Sequence, residues 1–308
     1  MTDFAIRTEN LTRYFGAKRA VCALDLAVPK GTIFGFLGRN GSGKTTTIRM
    51  LLGLLEPTRG RATVLGEDSR RLSPATRARI GYLSEGHYLP PWMRVRQCGK
   101  FQAQCFRTWN EDLFQSVLKH FRIDPNARAK ALSRGERAGV CIALTLAPGP
   151  ELLILDDPAL GLDPVVRRGL LESMLYVTRR EGRTILFSSH MLSDVERVAE
   201  HVAIVDRGVL RAQCKLDTLA ARIRRILLRF KSEPPALPEI PGLLNVQRFP
   251  NELSLSIANF CDATQKILDA LPVESSTTMP TTLEEAFIDY AGERGEKSFF
   301  LERMGGAA

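Results

Sequence analysis

Short, wholly apolar runs alternate with amphipathic stretches from near the start of the chain to about residue 210. Ile33–Leu37 (IFGFL) is bounded by glycines and predicts a buried strand; Thr45–Leu55 follows with helical periodicity and stops before Glu56 and Pro57. The same grammar recurs at Leu152–Leu155, Thr184–Phe187 and Val202–Val205, which predict core strands, with helices expected over Val165–Arg180 and Leu192–Ala199. Strand and helix in alternation imply a largely parallel sheet with helices on its faces, an α/β fold.

One stretch departs from this pattern. From Pro90 to about Leu146 the signals are helical, including Asn110–Phe121 (NEDLFQSVLKHF), where apolar residues recur at helical spacing behind Asn110, a residue suited to cap a helix N-terminus. A helical insertion is therefore expected over residues 90–146. Beyond residue 215 the character changes again, and Pro234, Pro235, Pro238, Pro241 and Gly242 form a breaker-rich connection. Ile223–Phe230 and the alternating Glu252–Ile257 predict strands; Ala263–Leu271 and Leu283–Tyr290 predict helices. The expected organisation is a large α/β domain over 1–215 followed by a small α+β appendage over 216–308.

Composition narrows the class. A chain of 308 residues that is 44% hydrophobic and 25% charged can build a sizeable core, which argues against wholesale disorder. No run of about 18 apolar residues occurs, so no membrane-spanning helix is expected. The opening MTDFAIRTENLTRYF carries Asp3 and Glu9 and has no apolar stretch of the kind a secretory signal needs, so a cytoplasmic location is expected. Six cysteines lie scattered without a CxxC pair, which argues against a zinc site or a disulfide framework and predicts reduced, mostly buried thiols. The net charge of +9 is spread along the chain and dominated by arginine; a solvated surface of mixed sign accounts for it, and no dedicated nucleic-acid binding is expected.

The chemistry concentrates in two segments. Gly38–Thr45 reads GRNGSGKT, a full match to GxxxxGK[ST], placed after a predicted strand and at the start of a predicted helix. Glycines let successive backbone N–H groups point at phosphate oxygens, and the helix N-terminus adds positive potential. Lys44 would reach the β- and γ-phosphates and the Thr45 hydroxyl would ligate magnesium. The second segment, LLILDD, sets Asp156 and Asp157 at what is expected to be the exposed end of an apolar strand, where Asp156 can hold magnesium. Alone, an apolar strand ending in acids is a weak signal; beside the first segment it is a strong one.

Further residues discriminate among nucleotide-binding families. Leu132–Glu136 reads LSRGE and opens the helical run Arg137–Leu146; Leu160–Asp163 reads LGLD; His190 follows ILFSS; Phe15 stands just before Gly16. In this order and spacing the six elements resemble those of ATP-binding cassette (ABC) ATPases, over residues 4 to about 215. The resemblance implies a P-loop NTPase cassette with a helical subdomain, using ATP and Mg2+. It implies adenine stacked on Phe15 and phosphates cradled by Gly38, Arg39, Asn40, Gly41, Ser42, Gly43, Lys44, Thr45 and Thr46. Magnesium would be held by Thr45, Asp156 and Glu85, and the catalytic candidates are Asp157, His190, Glu85 and Lys44. It also implies a head-to-tail dimer, with an identical or a different second cassette. In it Ser133 and Gly135 of one subunit close on the γ-phosphate held by the other, and Asp163 couples the two sites. ATP would then act as an interfacial glue whose hydrolysis opens the dimer.

Three segments depart from the family pattern. Asp157 stands where the family carries a glutamate that polarises the attacking water; it is one methylene shorter, and a displacement of about 1 Å can cost on the order of 100-fold in rate. Slow turnover is expected unless the backbone compensates. Glu85, in IGYLSE, stands where the Q-loop glutamine is expected and adds negative charge near the γ-phosphate. In the LSGGQ-like signature, Arg134 replaces a glycine and Glu136 the glutamine.

One cassette without a membrane-spanning run implies a separate permease docking near the Q-loop and the helical insertion. His87, Tyr88, Trp92 and Met93 cluster there and either contribute to that interface or pack inside the helical subdomain. The cassette-plus-appendage layout, and TTLEEAFIDYAG near the end with Leu283, Ala286, Phe287 and Tyr290 on one helical face, resemble ATP-binding subunits of ABC-2 type export systems. The resemblance thus implies an ATPase subunit of an exporter, peripheral on the inner face of the cell membrane. An importer subunit and a soluble non-transport ABC ATPase are the alternatives. Ribosome-acting ABC proteins normally carry two cassettes, whereas one GxxxxGK[ST] segment is present here, and the residues between Lys44 and Asp156 are too few for the long arms of a DNA-repair ATPase. The transported substrate is not legible, because it touches the permease and not this chain.

Overall fold

Phe4–Phe15 (β1) buries Ala5, Ile6, Thr8, Leu11 and Thr12 and exposes Arg7 and Asn10, the one-sided pattern of a strand interrupted by bulges. It pairs antiparallel with Lys18–Leu24 (β2), Ala27–Pro29 (β3) and Arg59–Val64 (β5), and β5 pairs with Glu67–Asp68 (β6). This five-stranded antiparallel sheet corrects the expectation of strand–helix alternation from the start of the chain. Its strands are half polar because one face of an antiparallel sheet can meet water, so they lack the continuous apolar signature that marks Ile33–Leu37 (β4).

The computed structural model describes residues 3–292, and the side chains of all of these except 174–181. Contacts divide the chain into two units, Met1–Gln213 and Cys214–Ala308. In the first, a second sheet has the strand order β11-β10-β4-β9-β8-β7, where β7 is Ile80–Leu83, β8 Leu152–Leu155, β9 Thr184–Ser189, β10 His201–Asp206 and β11 Val209–Lys215. From β10 to β7 its strands run parallel, as the alternating pattern requires. One core joins Ile6, Leu11 and Val64 of the antiparallel sheet to Phe34, Phe36, Ile154 and Leu186 of the parallel one, with Ile48 and Leu51 from the helix Lys44–Leu51 (α1). That helix ends four residues before its expected end. Gly53 (φ +67°) turns the chain, and the N–H groups of Leu54 and Leu55 both donate to the Arg49 carbonyl, which closes the helix.

Pro74–Ala78 (α2) is capped by Ser73, and the helical insertion contains Val95–Cys105 (α3), Glu111–His120 (α4) and Arg134–Leu146 (α5). Asn110 caps α4 by accepting from the Leu113 N–H. Pro164–Glu181 (α6) and Leu192–Val198 (α7) follow β8 and β9. Among the described residues no helix is long and apolar enough to cross a membrane. The second unit holds a four-stranded antiparallel sheet ordered β13-β14-β12-β15: β12 is Ile223–Arg229, β13 Leu243–Arg248, β14 Glu252–Ala258 and β15 Ser275–Met279. Helices Asp262–Asp269 (α8) and Leu283–Ala291 (α9) complete it, over a core that includes Ile226, Leu228, Leu253, Leu255 and Leu268. Strand β15 is exposed along its whole length and polar up to its last residue, Met279, which is why no apolar pattern announces it. All six cysteines are free, and Cys98, Cys141 and Cys214 are buried, so half rather than most of them are.

Candidate functional site

Strand β4 runs into Gly38, and the loop that follows can be built only from glycine at two places. A Cβ on Gly38 would stand 2.4 Å from both Ser42 Oγ and the Val205 carbonyl oxygen, and one on Gly43 (φ +104°) would stand 2.4 Å from the Ala20 carbonyl oxygen. Gly43 caps α1 without a side-chain hydrogen bond, so the first N–H groups of the helix present positive potential to an anion. Lys44 is buried, and its Nζ donates to the carbonyls of Gly38 at 2.7 Å and Arg39 at 3.3 Å. Burial pulls its ammonium below the ordinary lysine value, against the opposing pull of Asp157, Asp156 and Glu85.

The two aspartates after β8 are not at an exposed strand end, as the sequence suggests; they are 1% and 7% exposed. On one side β9 runs two residues past the end of β8, and Ser188 on that extension ties the two aspartates together. Its hydroxyl donates to Asp156 Oδ1 at 2.7 Å and accepts from the Asp157 N–H at 2.8 Å. Asp157 sits in the left-handed region (φ +46°), a conformation aspartate tolerates better than most residues, and its Oδ2 lies 2.7 Å from His190 Nδ1. The sequence points to Asp157 and His190 separately; that they touch, and that Ser188 holds Asp157 beside Asp156, arises only in the fold. The only available signal for Ser188 was its place two residues before His190.

Phe15, Asn40, Gly41, Gly43, Lys44, Thr45, Thr46, Glu85, Asp156 and Asp157 line one open cleft of about 410 Å³, which Lys18 and Ala20 also line. Lys18 was not singled out from the sequence, where it is one basic residue among many. Phe15 is half exposed and carries the Arg13 guanidinium 4.7 Å from its ring centroid. Gly38, Arg39 and Ser42 belong to the same loop but do not line the cleft; Ser42 is buried against Gly38. Ser133, Gly135 and Asp163 line a different hollow of about 880 Å³, together with Arg134, Glu136 and Gly161. Among the described residues none lines both concavities. Within the hollow Ser133 caps α5 by accepting from the Glu136 N–H, with Glu136 accepting in return from the Ser133 N–H. Asp163 caps α6, its Oδ1 accepting from the N–H groups of Val165 and Val166. The aromatic cluster is split: His87 is 5% exposed while Tyr88 and Trp92 are 74% and 71% exposed, so neither the interface nor the interior reading covers all of it.

The cleft suits a hard divalent cation. Asp156 Oδ2 is buried without a hydrogen-bond partner, an arrangement that costs on the order of 1–3 kcal/mol unless something occupies it. Oxygen donors, the carboxylates and the Thr45 hydroxyl, are what Mg2+ prefers. Among the described residues no cluster of three His, Cys, Asp or Glu side chains is placed to hold a metal ion.

Comparison with known proteins agrees with this geometry. The profile of the family described as ABC transporter matches residues 21–160. The bacitracin transport ATP-binding protein BcrA of Bacillus licheniformis is 34% identical over 72% of this chain and 73% of its own length. The Nod factor export ATP-binding protein I of Bradyrhizobium diazoefficiens is also 34% identical, over 71% and 73%. An uncharacterized ABC transporter ATP-binding protein of Bacillus subtilis, YhaQ, is 32% identical over 92% of this chain and 97% of its own, so the likeness extends through the second unit. Among solved structures, an ATP-binding subunit of an ABC transporter superposes with a TM-score of 0.64 at 26% identity, covering 70% of this chain and 92% of that one. The dimeric cassette MJ0796 gives 0.62 at 20% identity, over 68% and 98%, a likeness of fold. On sequence, fold and the residues of its nucleotide cleft, the chain belongs to the ABC transporter ATP-binding proteins and is an ABC-type ATPase.

Proposed function

We propose that this ATPase powers export through a separate membrane-embedded permease, working as a pair of cassettes whose sites are shared between them. The partition of the site residues carries the reading. One concavity holds residues of the Gly38–Thr46 loop, the acidic pair and Glu85, and the other holds Ser133, Gly135 and Asp163; in this reading neither is a complete site by itself. Two copies facing head to tail would complete each cleft with the other's hollow. The names of two relatives, a bacitracin transport protein and a Nod factor export protein, support the direction of transport.

In this reading the backbone of Gly38–Thr46 and Lys44 bind the phosphates, and Phe15 packs on the adenine. Thr45, Asp156 and Glu85 would hold Mg2+, which neutralises phosphate charge when bound. Asp157 takes up a water proton, and His190, bonded to Asp157, orients that carboxylate and contacts the γ-phosphate. Ser133 and the N-terminus of α5 donate to the phosphate held by the second cassette. Residues 216–308 act as an accessory domain. Attachment to the inner face of the membrane would come through the permease, with the exposed Tyr88 and Trp92 available to it.

The test is affinity purification of the tagged chain from detergent-solubilised native membranes, followed by mass spectrometry of partners in stoichiometric amount. A polytopic membrane protein is the expected companion. Ribosomal proteins or nucleic acid in its place would overturn the transport reading and leave the ATPase intact.

A further inference from the structure

The turn after β7 delivers Glu85 to the cleft, and its last residue is held by a contact that no nucleotide-binding motif accounts for. His87 has φ +50°, immediately after Gly86 at φ +86°, so two left-handed residues stand in a row and one of them is not glycine. The His87 side chain is 5% exposed, and its Nε2 lies 3.1 Å from the carbonyl oxygen of Pro158. A carbonyl can only accept, so Nε2 carries the proton and donates it. The turn closes on itself through the His87 N–H and the Ser84 carbonyl at 3.5 Å. Pro158 is the residue after Asp157, whose own backbone is left-handed and whose carboxylate is bonded to His190.

Two unusual backbone turns are thus joined by one buried hydrogen bond. They carry Glu85 and Asp157, the two cleft residues at which this chain departs from the family pattern. We propose that His87 is a positioning residue for hydrolysis: its donation to the Pro158 carbonyl clamps the Glu85 turn to the Asp157 segment and sets the reach of the shorter carboxylate. The proposal rests on the reading that Asp157 is the residue that activates water. Buried hydrogen bonds suit this task because the carbonyl left behind has no water to replace the lost donor.

The experiment measures single-turnover hydrolysis of radiolabelled ATP with the full-length chain in excess, and ATP affinity by fluorescent-nucleotide displacement. Removing the donor in His87→Phe is expected to slow hydrolysis about tenfold or more while the ATP dissociation constant stays within about twofold. His87→Gly relieves the left-handed backbone but also lacks the donor, and is expected to slow hydrolysis as much. His87→Gln keeps an N–H at similar reach and is expected to return to within about threefold of the parent. In an Asp157→Asn background the residual rate is expected to change less than about twofold on adding His87→Phe, because the clamp then has no carboxylate to place. Parental rates in both the Phe and Gly variants overturn the proposal, as does a loss of affinity that matches the loss of rate, or full additivity with Asp157→Asn. If Asp157→Asn itself hydrolyses at the parental rate, the assignment of Asp157 falls and the proposal with it. Loss in Asp157→Asn beside parental rates in the His87 variants overturns the role of His87 alone.

Discussion

At the scale of single residues, Asp157 joins side-chain chemistry to backbone geometry. Its N–H is taken by Ser188, its carboxylate by His190, and its φ of +46° aims the side chain in a way that a residue elsewhere in Ramachandran space could not. Asp157→Asn keeps shape but removes the proposed base, and single-turnover kinetics should show hydrolysis reduced about 10²–10⁴-fold with ATP binding retained. Asp157→Glu should raise the rate if the missing methylene limits it, and lower the melting temperature, since glutamate in the left-handed region costs about 1 kcal/mol; a rate no higher than the parent's would sink the slow-turnover expectation. Lys44→Ala removes a charge-assisted phosphate contact and should weaken ATP affinity roughly 10- to 100-fold in equilibrium titration. That both acids and the lysine share one cleft was legible in the motifs. Their pairing with Ser188 and His190 was not, because β8 and β9 are neighbours in the sheet and not in the chain.

At the scale of elements, ends decide more than middles. Helix α1 reads as running to Leu55, since its apolar spacing continues to that point, yet Gly53 and the Arg49 carbonyl stop it at Leu51. A Cβ on Gly53 would also stand 2.3 Å from the Ser69 carbonyl oxygen, so the break is set by a contact with a distant segment. In the second unit α9 starts with a reciprocal cap. Thr282 accepts from the Glu285 N–H, and Glu285 accepts from the Thr282 N–H and pairs with Arg225. The Thr282 N–H holds the Glu285 carboxyl below its ordinary value of 4.5, helped by the Thr282 hydroxyl and Arg225. A depressed carboxyl stabilises the fold above its unfolded value and loses that contribution as pH falls through the folded one. Thr282→Ala removes the hydroxyl that caps the Glu285 N–H and should cost about 1 kcal/mol by chemical denaturation. The gap in stability between parent and Glu285→Gln should narrow as pH is lowered below the ordinary glutamate value.

At the scale of the whole molecule, the nucleotide cleft and the signature residues lie in separate concavities, with no described residue in common. If the site is shared as proposed, ATP should bring two copies together. With hydrolysis blocked by Asp157→Asn, size-exclusion chromatography should show a dimer in ATP and Mg2+ and a monomer without nucleotide; a monomer in both would count against the shared site. Chelation of Mg2+ should stop hydrolysis while leaving measurable ATP binding, since the loop N–H groups and Lys44 do not depend on the metal. Saturating ATP at about 100 times its dissociation constant should stabilise the fold by about 2.7 kcal/mol, readable as a rise in melting temperature.

The sequence by itself determined the nucleotide loop, the parallel sheet and the helical insertion, because each depends on local order: glycines at fixed offsets, unbroken apolar runs, and helical periodicity behind a capping residue. It also placed the family signature in its order along the chain. Only the tertiary structure decided the antiparallel sheet of β1, β2, β3, β5 and β6, whose half-polar strands take their meaning from partners far along the chain. Burial of Asp156 and Asp157, the Ser188 bridge, the His190 contact and the His87 clamp likewise arise where separate strands and turns converge. Local pattern reports what a segment can become, whereas contacts across the sheet decide which groups are stripped of water and which partner each one meets.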